Sequence, residues 1–396
     1  MKMGLPGMMV FCALNLLGAI VFATEPATFN EAKALSSKLG KPVLMEFYTE
    51  WCVPCKQFAA DAKNDTDVVK ALEKVVLFTV DAEKGQGKKL GRNFKVGLFP
   101  TFIMMDAKEA IIMRFSAYGK SLLLDKLNEA FEDLTPIDLK FSRFEANPNL
   151  KDAMAIAGYY DGSDDYKKAV NYYSRAQDLG ADTSLHIAQK IFWCTRMGFQ
   201  YKQFEFAQVL SAADDALEAD WSSKLNICDA MIDFCAEQDR KDLLPKYINA
   251  GLEVIKDSAF VNSEPENRKF KPFITNKFTL YHSLYVSGDT ARAVECKKAL
   301  MSAGWENDAG QLNNFAWWCF ENKTNLEEAE SLSKKSVELA KDPKQKAMSL
   351  DTQAEICSAL GKHGEAVSLI KQAIEQDSEN KHYKKQLERF SKLAGS

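Results

Sequence analysis

Glu46-Phe47-Tyr48-Thr49-Glu50-Trp51-Cys52-Val53-Pro54-Cys55-Lys56 is the stretch on which the reading of this chain turns, an apolar run that ends in two cysteines three positions apart. Upstream, Val43 to Tyr48 is rich in β-branched and aromatic residues and predicts a short buried strand. Downstream, Cys55 to Ala62 predicts a helix, so Cys52 falls at the strand-to-helix turn. The unsatisfied N–H groups and the dipole of a helix's first turn favour a thiolate over a thiol, and the thiolate is the species that attacks a disulfide. Each unit by which the pKa falls corresponds to about 1.4 kcal/mol in favour of the ionised form. Cys52 is therefore the expected nucleophile. Cys55, one turn further in, is the expected resolving thiol.

A Cys-x-x-Cys pair can also be half of a zinc or iron–sulfur site, but such a site needs a second ligand pair at comparable spacing. The other cysteines are Cys12, Cys194, Cys228, Cys235, Cys296, Cys319 and Cys357, and the histidines are His186, His282, His363 and His382. None forms such a pair. The spacing thus favours a redox disulfide between Cys52 and Cys55, with no metal and no cofactor.

Trp51-Cys52-Val53-Pro54-Cys55-Lys56 resembles the W-C-x-P-C-K active site of the thioredoxin family, and Phe99-Pro100-Thr101 lies at the expected distance downstream. The string Lys41-Pro42-Val43-Leu44-Met45-Glu46-Phe47-Tyr48 is similar to the thioredoxin domain of bacterial transmembrane disulfide reductases. The resemblance covers residues 28 to 134. It implies an α/β thioredoxin fold, a disulfide-reducing activity on proteins, and a cis-proline at Pro100 facing the sulfurs, with Phe99 and Thr101 beside it as the substrate-binding strand. Trp51 is expected both to pack and to supply apolar surface around the sulfur.

Glu46 stands out in an otherwise apolar strand, and the alternation of Val43, Leu44 and Phe47 directs it inward, under the helix that carries Cys55. A buried carboxylate is a candidate proton acceptor for a resolving thiol. In thioredoxins an acidic residue at the matching position does this work; here Glu replaces the usual Asp, and the family's partner lysine falls at Leu77. Gly85-Gln86-Gly87-Lys88-Lys89 departs from the phosphate-binding loop pattern, which requires Gly at Ala82 and Ser or Thr at Lys89. It is expected to be a polar loop, followed by a short helix over Lys88 to Phe94.

Met1-Lys2 and the apolar run Met8 to Phe22, closed by Val21-Phe22-Ala23, have the layout of a cleaved signal peptide, residues 1–23. A retained anchor competes with this reading, but Pro6, Gly7, Asn15 and Gly18 interrupt the run, which barely reaches the ~20 apolar residues a span needs. The expected location is periplasmic or secreted, with no membrane span after cleavage. The 396 residues leave room for two or three domains, and the formal charge of −4 is spread rather than blocky. No basic cluster with interleaved aromatics marks a nucleic-acid surface.

The expected organisation is a thioredoxin-like domain over residues 24–137, a linker over 138–150 punctuated by Asn147-Pro148-Asn149, and an all-α repeat domain over 151–396. Asp164-Asp165-Tyr166-Lys167-Lys168-Ala169, Gly288-Asp289-Thr290-Ala291-Arg292-Ala293, Asn325-Leu326-Glu327-Glu328-Ala329 and Gly361-Lys362-His363-Gly364-Glu365-Ala366 repeat a turn-and-alanine pattern. Ala293, Ala329 and Ala366 are 36 and 37 apart, slightly over the ~34-residue period of tetratricopeptide repeats, which these units resemble. Cys228 and Cys235, seven apart on one expected helix, stand beyond disulfide reach at ~10.5 Å of rise, so the cysteines of this region read as buried small hydrophobes. Trp317-Trp318-Cys319 reads as core between repeats. Stacked helix pairs present a groove for a peptide or another protein.

Two functions fit these features. One is an exported thiol–disulfide oxidoreductase acting on protein disulfides or dithiols, reset by a redox partner protein, with the repeats binding a partner. The other is an envelope interaction scaffold in which the thioredoxin-like domain is accessory.

Overall fold

The computed structural model describes residues 26–180, 186–218, 221–257, 260 and 265–395. The expected signal peptide, residues 1–23, lies outside the described residues. The chain divides into two compact units between Val209 and Leu210.

The first unit begins with α1 (Phe29–Leu39), and its start follows from local chemistry. Thr28 and Glu31 form a reciprocal capping box, and Gly40 ends the helix in the left-handed region at φ 65°. Four strands follow, β1 (Val43–Tyr48), β2 (Val76–Asp81), β3 (Thr101–Met105) and β4 (Ile111–Ser116), in the sheet order β2-β1-β3-β4. β1 runs parallel to β2 and antiparallel to β3; β3 and β4 form a hairpin. The parallel crossover carries α2 (Val53–Asn64) and α3 (Thr66–Leu72), whose N-cap Asp65 accepts from the Asp67 and Val68 N–H groups. α4 (Gly85–Asn93) and α5 (Lys120–Glu132) complete the α/β thioredoxin fold.

The period of two along β1 sorts its side chains onto two cores. Val43, Met45 and Phe47 face Phe29 and Phe78 on one side. Leu44 faces Phe58 of α2 and Leu123 of α5 on the other. Each large side chain fully buried here contributes about 1.5–3 kcal/mol. Glu46 shares the alternation of Leu44 and so belongs to the α2 side.

Two expectations need correction. Gly85 to Lys89 is helical rather than a loop, because α4 starts at Gly85. Gly87 sits so close to the sheet that a Cβ there would lie 1.9 Å from the Asp81 carbonyl oxygen, so glycine serves close packing here. The stretch expected as a linker, 138–150, is also largely helical: α6 spans Ile137–Ala146 and buries Ile137 and Phe144. Arg143 of α6 donates to Asp133 Oδ2 at 2.6 Å and to Asp152 Oδ2 at 2.6 Å. Desolvation works to raise the Asp133 carboxyl, but the hydrogen bonds from Arg143 and Thr135 hold it below the usual carboxylate range.

α7 (Leu150–Asp161), α8 (Tyr166–Asp178) and α9 (Ile187–Gln200) continue from α6. They are joined to the sheet through Arg114, a buried cation on β4. Its guanidinium donates to the carbonyls of Gly162, Phe94 and Lys95, three partners that replace the water it loses. Gly162 is required there: a Cβ would lie 2.6 Å from the Arg114 carbonyl oxygen.

Among its described residues the second unit is built of helices joined by short turns, with no strand. Small buried residues, Ala293, Ala329 and Ala366 among them, belong to its apolar core clusters, and Asp289, Asp308 and Asp342 cap three of its helices through their side chains. The α/β domain is thus followed by helix pairs of tetratricopeptide type. Cys228 and Cys235 lie on the helix Trp221–Glu237, and like Cys194, Cys296, Cys319 and Cys357 they are unpaired with any sulfur and buried. Cys319 is fully buried within the helix Ala309–Glu321, while Trp317 and Trp318 are half-buried.

Candidate functional site

The carboxyl end of β1 leads through Thr49, Glu50 and Trp51 into α2, and Cys52 is the N-cap of that helix. Pro54 falls in its first turn, where a missing N–H costs nothing. The Cys52 sulfur accepts from the Cys55 N–H at 3.2 Å. Cys52 and Cys55 are joined by a disulfide with an S–S distance of 2.03 Å and a Cα–Cα distance of 5.3 Å. Both are 3% exposed, whereas the flanking Trp51 and Val53 are 64% and 73% exposed. The sulfurs therefore lie just beneath an apolar rim. A disulfide lost to reduction would leave Cys52 facing helix N–H groups, the environment that lowers a thiol pKa.

The second motif comes to the same place. The Trp51 ring meets the Phe99 ring edge-on, with centroids 5.9 Å apart. The Phe99–Pro100 peptide bond is cis. Pro100 is buried, and its carbonyl accepts from the Ala117 N–H at 2.9 Å, which ties the start of β3 to the end of β4. Thr101 is fully buried; its hydroxyl donates to the Leu98 carbonyl at 2.7 Å and pairs with the Ser116 hydroxyl at 2.9 Å.

Glu46 is 2% exposed, in register with Thr79 of β2 and Phe102 of β3. It lines a cleft of about 400 Å³ together with Cys55, Phe58, Leu77 and Thr79. The carboxylate and the second sulfur thus open onto one space behind α2. Leu77 stands in that cleft where a lysine was looked for, while Lys56 and Lys63 of α2 line it from the other wall.

Sequence reasoning missed the polar collar around Trp51. The indole N–H donates to Glu83 Oε1 at 3.2 Å, and the Lys84 ammonium bridges Glu50 and Asp81. The hydrogen bond that Lys84 donates to the Glu50 carboxylate holds the ammonium charged and raises its pKa. The Trp51–Glu83 and Lys84–Glu50 contacts span 32 and 34 residues, and no periodicity announces them.

A strand, a helix-capping cysteine pair and a proline loop on the next strand together define a thioredoxin-type redox domain, and residues 21–129 match the family model described as thioredoxin. Over 88 residues the chain is 37% identical to the thiol:disulfide interchange protein DsbD of Salmonella paratyphi A, a match that covers 22% of this chain and 16% of that protein. The same protein of Escherichia coli K12 is 36% identical over 88 residues, with the same shares. The chain therefore spans about 16% of the length of these relatives. Among solved structures, a thioredoxin from Thermus thermophilus is 26% identical, covering 26% of this chain and 82% of that one at a TM-score of 0.24. The TPR2AB domain of yeast Sti1, solved with pHSP90, is 15% identical and covers 62% of this chain and 98% of that one, also at a TM-score of 0.24.

Proposed function

We propose that this chain is an exported thiol–disulfide oxidoreductase that reduces protein disulfides, with a redox module over about residues 24–137 and a helical module from 151 onward that binds a partner protein. The observation that carries the reading is the Cys52–Cys55 pair capping α2, beneath Trp51 and beside Phe99.

In the reducing direction the Cys52 thiolate attacks one sulfur of the substrate disulfide, and the other substrate sulfur leaves as a thiolate. Cys55, once deprotonated, then attacks the Cys52 sulfur of the mixed disulfide and expels the second substrate thiolate. Two electrons pass to the substrate and the Cys52–Cys55 bond is left behind. Glu46, in the cleft it shares with Cys55, takes the resolving proton. Phe99, turned outward by the cis bond to Pro100, pairs with the substrate backbone, Thr101 anchors that loop from beneath through Leu98 and Ser116, and Trp51 covers the substrate side chains. A dithiol protein partner resets the pair; no metal or cofactor enters.

Export rests on the layout of residues 1–23 and on Ala23 as the cut site. Among the described residues no helix is long and apolar enough to cross a membrane. The expected mature N-terminus is Thr24, read by mass spectrometry of protein recovered from a bacterial periplasm. Turnover is tested by reduction of insulin disulfides with dithiothreitol as the electron source. The wild-type chain should accelerate it, and a rate no faster than that of Cys52→Ser would refute the assignment.

A further inference from the structure

Phe99 has a second neighbourhood besides Trp51. It lines a groove of about 690 Å³ inside the first unit, between the sheet domain and helices α7 to α9. Phe99 and Leu122 supply apolar surface on the sheet side, and Tyr166, Trp193 and Met197 supply it on the helical side. Trp193 is 42% exposed, an unusual condition for the largest apolar side chain when its neighbours Phe192 and Cys194 are buried. The volume lies within the ~300–1,000 Å³ range of ligand-holding clefts. Charges of both signs, Lys126 and Lys190 against Asp161 and Asp164, border it, so no net field selects an anion or a cation.

We propose that this groove seats an extended segment of the disulfide-bearing protein substrate, with a bulky apolar side chain of that segment held against Trp193, so that the first helices of the repeat region act as a specificity wall for the redox centre. The assignment deepens the oxidoreductase reading and rests on it. Continuity is what favours this occupant: Cys52 adjoins Trp51, Trp51 touches Phe99, and Phe99 lines the groove. A chain paired at Phe99 enters the groove that Phe99 lines, and the α9 residues Trp193 and Met197 line that same groove. The wall is held in place by Arg114, whose guanidinium binds the Gly162 carbonyl between α7 and α8. A small disulfide, which occupies the sulfur rim alone, never reaches Trp193.

The test compares two substrates on the full chain: insulin as a protein disulfide and hydroxyethyl disulfide as a small one. Trp193→Ala should lower kcat/KM for insulin about tenfold, mainly through KM, and leave hydroxyethyl disulfide reduction within about twofold of wild type. Trp193→Phe should recover most of the insulin activity. Unchanged insulin kinetics in Trp193→Ala and in Trp193→Ala/Met197→Ala would overturn the proposal, as would an equal fall on both substrates. A wild-type chain that reduces the small disulfide but not insulin overturns the groove alone; one that reduces neither removes the oxidoreductase reading beneath it.

Discussion

Cys52 and Cys319 are both buried residues associated with helices, yet the two regions around them drive sulfur chemistry in opposite directions. Cys52 stands before the first turn of α2 and receives an N–H from Cys55, with exposed apolar residues on either side. Cys319 stands within Ala309–Glu321, where helix N–H groups are already spent on carbonyls one turn back. Burial, helped by the nearby Glu328 carboxylate, pushes its thiol up to about 12. Burial likewise pushes Cys228 and Cys357 up to about 12 and Cys235 up to about 11. Cysteine content therefore says little about redox function; the position of the sulfur relative to a helix end says much more.

Cys52→Ser breaks the comparison most forcefully. It should cost at least about a thousandfold in disulfide turnover, as loss of a nucleophile does, whereas Cys319→Ala should leave turnover within about twofold. Insulin reduction by the two variants checks both halves.

Alkylation sharpens it. In dithiothreitol-reduced protein at pH 7, a thiol with a pKa of about 12 is ionised to only about one part in 10⁵ and is sterically closed as well. Iodoacetamide should modify Cys52 at least about a hundredfold faster than Cys228, Cys319 or Cys357, which should react only in denaturant. Peptide mapping of the products over time separates the outcomes, and equal rates would erase the contrast.

Stability offers a third view. Gly162→Ala forces a methyl group against the Arg114 backbone and should destabilise the first unit by about 1–3 kcal/mol in chemical denaturation. The cysteines of Leu210–Ser396 should keep their protection from alkylation in that variant. A pH slope completes the series. The helical-region thiols have folded pKa values raised above the unfolded value of about 8.5, so the stability they contribute is intact below that pH and is lost as pH rises toward about 12. The limit is about 1.4 kcal/mol per thiol for each pH unit. Urea midpoints measured between pH 8 and pH 11 should fall, and less steeply in Cys319→Ala/Cys357→Ala.

Features written over a few neighbouring residues were legible in the sequence. The Thr28–Glu31 box, the Gly40 stop, the cysteine pair at a strand-to-helix turn and the inward face of Glu46 all follow from local spacing. α6 was not read because Pro136 and Asn147-Pro148 look like loop punctuation, although they bracket the helix as its N-cap and C-cap side. Its apolar spacing, Ile137, Phe141 and Phe144, was the available signal. The start of α4 was hidden by glycines whose purpose, close packing of Gly87 on Asp81, exists only in the folded chain, although the helix over Lys88 to Phe94 was legible. Arg114 with Gly162, and Phe99 with Trp193 across one groove, join residues far apart in sequence, and no period or motif in a single chain encodes such a meeting.

The most direct measurement equilibrates the protein with mixtures of reduced and oxidised glutathione, quenches with an alkylating mass tag and counts labelled cysteines by peptide. The account predicts one two-electron transition confined to Cys52 and Cys55, with the cysteines of the helical region reduced and unlabelled in the native protein throughout. A pair that never opens, or a transition that draws in the helical-region cysteines, would contradict it.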